Sequence, residues 1–179
     1  MDIEIRVARS SDAASACEVL RRSISECCVE DHHNDAVVLE AWLGNKTPAN
    51  VKSWLALPSH FSLVAIADGE LAGIAMRNRA GSIVLFYVGP RWRFAGVGKA
   101  LLQSLELQAV RSGLRVLKVA STFTARRFYE RNGYVAAGPT MSAFGQAISM
   151  SKRIAPGSYA KRIICNCESA ESASWRLSS

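Results

Sequence analysis

A chain of 179 residues suffices for one domain and falls short of two, because domains most often run about 100 to 150 residues. With 49% hydrophobic and 21% charged residues it can bury a sizeable core, which excludes wholesale disorder, and no run reaches the roughly 18 apolar residues of a membrane span. The net charge of +7 divides unevenly: residues 1–90 carry 8 Lys/Arg against 11 Asp/Glu, and residues 91–179 carry 14 against 4. Such segregation suits nucleic acid or, equally, an anionic cofactor on one side and a cationic substrate on the other.

The N-terminus alternates charge with apolar side chains, so neither a signal peptide nor an anchor is expected. Ile3, Ile5 and Val7 have the period of two of a half-buried strand, and the oxygens of Ser10, Ser11 and Asp12 are suited to cap a helix that follows. Ala13, Cys17, Leu20, Ile24 and Cys27 then recur at three- and four-residue steps, predicting a helix over about 12–28 with Cys27 on its apolar stripe. The polar run Glu30, Asp31, His32, His33, Asn34 reads as a loop. Residues 35–43 form a short helix stopped by Gly44, and Thr47 before Pro48 opens another through about 57.

From Phe61 the period changes. FSLVAIA and ELAGIAM are joined by Asp68-Gly69, a dipeptide that tolerates the positive φ angles of a tight hairpin. SIVLFYV at 82–88 is apolar almost throughout, as a central strand covered on both faces should be. A helix over 98–112, a strand over 115–120, a helix over about 123–132 and strands near 134–138 and 145–152 complete an α/β fold with a mixed sheet. Residues 1–153 are read as the single domain and 154–179, rich in Ser and Ala, as a C-terminal extension of unassigned role.

The segment Arg93-Phe94-Ala95-Gly96-Val97-Gly98-Lys99 follows a strand and opens a helix. Amides there lack intrahelical partners and the dipole is positive, so a loop curled by glycines can cradle phosphate oxygens. A Walker loop is excluded, since Arg93 stands at the first glycine position and Ala100 where a magnesium-binding hydroxyl belongs. The dinucleotide pattern fits Gly96 and Gly98 but meets Leu101 at the third glycine, and a plain strand-to-helix turn stays open for the loop alone.

Together, R-x-x-G-x-G-K-A-L at 93–101 and A-x-x-F-Y-E-x-x-G-Y at 125–134 resemble the GNAT superfamily of acyl-CoA-dependent N-acyltransferases, over about residues 3–153. The resemblance implies a mixed, mostly antiparallel central sheet flanked by helices and splayed at the fourth strand, with acetyl-CoA as cosubstrate. It implies that the amides of residues 93–99 (Arg93, Phe94, Ala95, Gly96, Val97, Gly98, Lys99) bind the CoA pyrophosphate. Phe86, Tyr87 and Val88 would hold the pantetheine arm, the Val88 N–H would polarise the thioester carbonyl, and Tyr129 would sit at the sulfur as general acid. Thr124 stands where many members have Asn, a shorter side chain with a different reach.

A phenol of reference pKa about 10 stays protonated at neutral pH, and on a helix Tyr129 lies about 100° from Phe128, so Phe128 can face the core while Tyr129 points to the cleft. A second core aromatic is the alternative for Tyr129. For the base, the candidates are Glu30, Asp31, His32 and His33, in a region that borders the acceptor site in the resembling family; a solvated, helix-capping turn is the alternative. The absence of any third ligand at useful spacing from His32 and His33 excludes a metal site. Five cysteines (Cys17, Cys27, Cys28, Cys165, Cys167), odd in number and without a C-x-x-C pair, fit a reducing, cytoplasmic setting. The expected activity is direct acetyl transfer to a primary amine of a small molecule or peptide, with no membrane or nucleic-acid partner and a homodimer as the symmetry expectation. The rivals are a non-catalytic acyl-CoA sensor and a basic nucleic-acid-binding module.

Overall fold

The computed structural model describes residues 2–155; residues 156–179, which hold most of the expected C-terminal extension and Cys165 and Cys167, lie outside the described residues. In chain order the elements are β1 (Ile3–Val7), α1 (Ala13–Cys27), α2 (Val29–His32), α3 (Ala36–Leu43), α4 (Pro48–Leu55), β2 (His60–Ala67), β3 (Glu70–Asn78), β4 (Ser82–Val88), α5 (Val97–Arg111), β5 (Val116–Ser121), α6 (Phe123–Arg131), β6 (Val135–Ser142) and β7 (Gly145–Arg153). None of the helices among them is long and apolar enough to cross a membrane.

Local chemistry sets the boundaries. The Thr47 hydroxyl accepts the Asn50 N–H at 3.2 Å ahead of Pro48, and the Asp35 carboxylate accepts from Val37 and Val38 at 2.8 and 3.1 Å. Asp68 and Gly69 take φ of 49° and 82° between β2 and β3, as the hairpin dipeptide requires. Asp12 caps the short 3-10 turn Ser10–Asp12 that precedes α1, not α1 itself. It takes a bidentate Arg6 pair at 2.8 Å and the Arg9 N–H at 2.7 Å, so it ties α1 back to β1.

The seven strands form one sheet in the order β1-β2-β3-β4-β5-β7-β6, antiparallel except for β4 beside β5. Leu63 and Ala65 of β2 face a core with Leu101, Leu102 and Leu105 of α5; alternate residues Val64 and Ile74 face Ala16, Cys17 and Leu20 of α1 and Val51 of α4. Helices therefore cover both faces of a sheet whose strands alternate between them.

The β4–β5 pairing covers only Ser82 with Lys118 and Ile83 with Val119, after which the strands part. A register shift in the β3–β4 ladder falls at the same level, skipping Val84, as a bulge that bends a strand would. The expectation that 82–88 is a covered central strand is corrected here. Only Ile83 is buried and the remainder is half-buried or exposed, because β5 no longer flanks it.

Candidate functional site

Parting of the strands leaves the amides of β4 with no partner strand on one side. The Gly89 N–H bonds the Ala72 carbonyl at 2.8 Å, in register with the Val88–Gly73 and Tyr87–Ile74 pairs. Because antiparallel residues face a partner strand alternately, Tyr87 and Leu85 bond β3 while the N–H groups of Phe86 and Val88 point into the gap. A central strand thus presents free donors to a cleft inside the molecule.

Beyond β4, Pro90–Trp92 form a short 3-10 turn and the chain curls into α5. Phe94 and Gly96 take φ of 62° and 88°, turning the backbone inward. None of the N–H groups of residues 94–99 makes a hydrogen bond of good geometry to an acceptor among the described residues, whereas Arg93 N–H is used, at 3.3 Å, on the Pro90 carbonyl. The expected row of amides therefore runs from 94 to 99 rather than from 93. Val97 turns its side chain fully into the core, leaving its backbone to the loop. At Gly98 a Cβ would lie 3.3 Å from Phe128 Cε2 and 3.6 Å from Val88 Cγ2, so this glycine lets α5 sit close to α6 and β4.

Two cavities meet where the sheet opens. The larger, ≈ 1210 Å³, is lined by Phe86, Tyr87, Val88, Arg93, Phe94, Gly96, Gly98, Lys99, Thr124 and Tyr129, and by Arg126, Arg127 and Arg131. Five cations against Glu26 and Glu30 make it suited to an anion. The smaller, ≈ 930 Å³, is walled by Glu30, Asp31, His33, Trp42, Tyr87, Lys118 and Phe144 among others. Glu30, Val84, Tyr87 and Thr122 belong to both. The acidic excess of residues 1–90 does not gather in the smaller cavity, which holds only Glu30 and Asp31 as carboxylates.

Tyr129 is 2% exposed and packs edge-on against Phe128 and Tyr134, with centroids 5.2 Å away in each case. Burial, and then the neighbouring Tyr87, push its phenol well above the ordinary tyrosine value, so it stays protonated. It is thus both a core aromatic and a residue of the cavity wall, while Phe128, expected to face the core alone, is half-buried and lines the same wall. The Thr124 hydroxyl is buried with no hydrogen-bond partner beside that cavity. An orphaned hydroxyl, six free amides, two free strand amides and a cluster of cations fit a long ligand with a diphosphate head and an amide-bearing arm.

The acidic and histidine cluster separates on folding. His32 is 1% exposed; its Nδ1 accepts the Asn34 N–H at 3.0 Å and its Nε2 lies 3.1 Å from the Ile24 carbonyl. With both nitrogens engaged, it has no lone pair for a base and lines neither cavity, which corrects the expectation. Asp31 accepts the Phe123 N–H at 2.6 Å and the Thr124 N–H at 3.3 Å, capping α6 from across the gap. His33 is exposed with φ of 50°. Glu30 is exposed at the junction of the cavities and makes no ion pair or hydrogen bond among the described residues. The apolar stripe of α1 continues through Cys28, not Cys27: Cys28 is buried, its thiol pushed up to about 12 by burial, and half-buried Cys27 lines the larger cavity.

Two further residues, Phe144 and Lys46, gave no sequence signal, and they gather around Trp42, which by type fits a core or a cleft lining. Trp42 stacks on Phe144 of the β6–β7 turn, centroids 5.6 Å apart and 10° from parallel, and its Nε1–H donates to the Tyr87 hydroxyl at 3.3 Å. Lys46 is 2% exposed, donates to the Trp42 carbonyl at 3.2 Å and lies 4.4 Å from the Phe144 centroid. Burial pushes its ammonium down to about 8. Aromatic residues spaced this widely in sequence carry no shared period, so only the fold brings them together.

A family model for an acetyltransferase (GNAT) domain matches residues 28–154, more than half of the chain. A search of the curated proteins found no match. Among solved structures, a GCN5-related N-acetyltransferase from Rhodopseudomonas palustris is 24% identical, covers 86% of this chain and 97% of its own, and superposes with a TM-score of 0.78. The PaiA N-acetyltransferase from Thermoplasma acidophilum, in complex with coenzyme A, is 20% identical over 86% of this chain and 99% of its own, TM-score 0.72. The ribosomal-protein-S18-alanine N-acetyltransferase from Escherichia coli is 18% identical over 90% and 100%, TM-score 0.62. At these identities the structures share the fold.

Proposed function

Because the chain belongs to the GNAT acetyltransferase family, we propose that it moves an acetyl group from acetyl-CoA to a primary amine of a small molecule or peptide, by direct attack with both substrates bound. The observation that carries this is the meeting of two cavities at the parted strands, one cation-lined and amide-rich, the other bearing Glu30. The free amides of 94–99 would hold the diphosphate, with Arg93 and Lys99 adding charge nearby. Phe86 and Val88 would bond the pantetheine arm in the manner of a strand, and the Thr124 hydroxyl has a free proton to offer it.

For transfer, the acceptor must first be a neutral amine. Glu30 and His33, unlike His32 and Asp31, have no side-chain hydrogen bond among the described residues, and of the two only Glu30 lines both cavities, so Glu30 is the base in this reading, directly or through water. The Val88 N–H, aimed into the gap, stabilises the oxyanion that develops on the thioester carbonyl. Tyr129 then protonates the departing thiolate, and its upward-shifted phenol keeps that proton across the neutral and mildly alkaline range.

Tyr129→Phe keeps the aromatic packing and removes only the proton donor. Its kcat for acetyl transfer should fall by about a hundredfold or more, the range of a positioned acid, with the KM for acetyl-CoA little changed. An unaltered kcat would remove Tyr129 from the reaction.

A further inference from the structure

We propose that the smaller cavity takes a monoamine carried on a flat apolar body, such as an arylalkylamine, and discriminates against polycations. This rests on the acetyl-transfer reading above and names the acceptor class for its site. The walls mix the two kinds of surface: Trp42, Tyr87, Phe144, Phe123, Val38 and Val84 form the apolar part, and Ser82, Thr140, Gln146 and Ser149 are among the polar residues. Phe144 is held parallel to Trp42, and Tyr87 is fixed by the bond from Trp42. A rigid face of this kind gains most from a planar hydrocarbon group.

The charge pattern limits the acceptor to one ammonium. Two carboxylates line the cavity, and Asp31 is committed to the amides of Phe123 and Thr124. Glu30 is the carboxylate whose oxygens are left for the reacting ammonium, and it lies at the junction with the larger cavity, where the amine must react. Lys118 projects from β5 into the same wall and makes no ion pair among the described residues. A second ammonium on the acceptor would meet that lysine without a carboxylate to balance it, and like-charge juxtaposition is how a site rejects a wrong partner.

The test uses the full chain with acetyl-CoA and four acceptors: phenethylamine, butylamine, spermidine and kanamycin. Thiol release is recorded beside direct calorimetry of acetyl-CoA and, with CoA present, of each amine. Phenethylamine should have the highest kcat/KM, at least about tenfold above butylamine, as burial of a phenyl group predicts. Phe144→Ala should raise the KM for phenethylamine by about tenfold and leave the KM for acetyl-CoA unchanged, while Phe144→Leu recovers part of the loss. Lys118→Glu, at an exposed position of β5, should raise kcat/KM for spermidine by several-fold more than it raises that for butylamine.

Preference of the parent chain for spermidine or kanamycin, or equal use of all four, overturns the acceptor assignment. So does tight acetyl-CoA binding with no amine bound or acetylated. Failure to bind acetyl-CoA at all would instead overturn the transferase reading on which this one rests.

Discussion

Lys46 shows how far a single side chain's properties depend on its surroundings. In the sequence it is one lysine between Asn45 and Thr47; in the fold it is buried under Phe144 beside the Trp42 carbonyl. Desolvation lowers its pKa from 10.5 to about 8. Between those values the unfolded chain keeps a proton that the folded chain has lost, so folding stability rises with pH across that window. Urea unfolding at pH 8 and pH 10 should therefore show Lys46→Met at its greatest advantage over the parent at pH 8, narrowing at pH 10. A difference that stays constant would mean that the ammonium is not desolvated. Features set by neighbours in sequence were legible: the left-handed turn at Gly96 that opens α5 and the Thr47 cap. His32 was not, because the atoms that occupy its ring are the Ile24 carbonyl, eight residues back, and the Asn34 amide.

At the scale of elements, helix and strand positions followed from period and punctuation, while contacts across the parted strands did not. The run from Glu30 to Asn34, expected as a loop, contains α2, a single turn of helix that places Asp31 at the N-terminus of α6. That carboxylate joins the helices of the N-terminal half to the helix carrying Tyr129, its first bond partner, Phe123, lying 92 residues further along the chain. Two of the otherwise unsatisfied first-turn amides of α6 depend on it, with Thr122 covering Ala125. Asp31→Ala should therefore cost about 1 kcal/mol, as loss of a capping side chain does, read as a lower thermal midpoint, and Asp31→Asn should cost less. Equal midpoints for Asp31→Ala and the parent would show that solvent serves those amides as well.

For the molecule as a whole, the division of charge seen in the sequence has a spatial meaning on one side only. The basic residues Arg93, Lys99, Arg126, Arg127 and Arg131 converge on the larger cavity, but the acidic residues of the first 90 positions scatter, Asp12 onto Arg6 and Glu26 onto Arg22. Net charge records what a chain contains, and only the fold decides which charges share a cavity. The opening between β4 and β5 organises the rest, since it frees the Phe86 and Val88 amides and lets two cavities meet beside them. The most direct test is an amide-resolved NMR titration with CoA, following the N–H signals of Val88 and residues 94–99. Binding should shift these signals and slow their hydrogen exchange, leaving Tyr87 and Leu85, already bonded to β3, largely unmoved. CoA binding that leaves the 94–99 amides unshifted and exchanging freely would contradict the account.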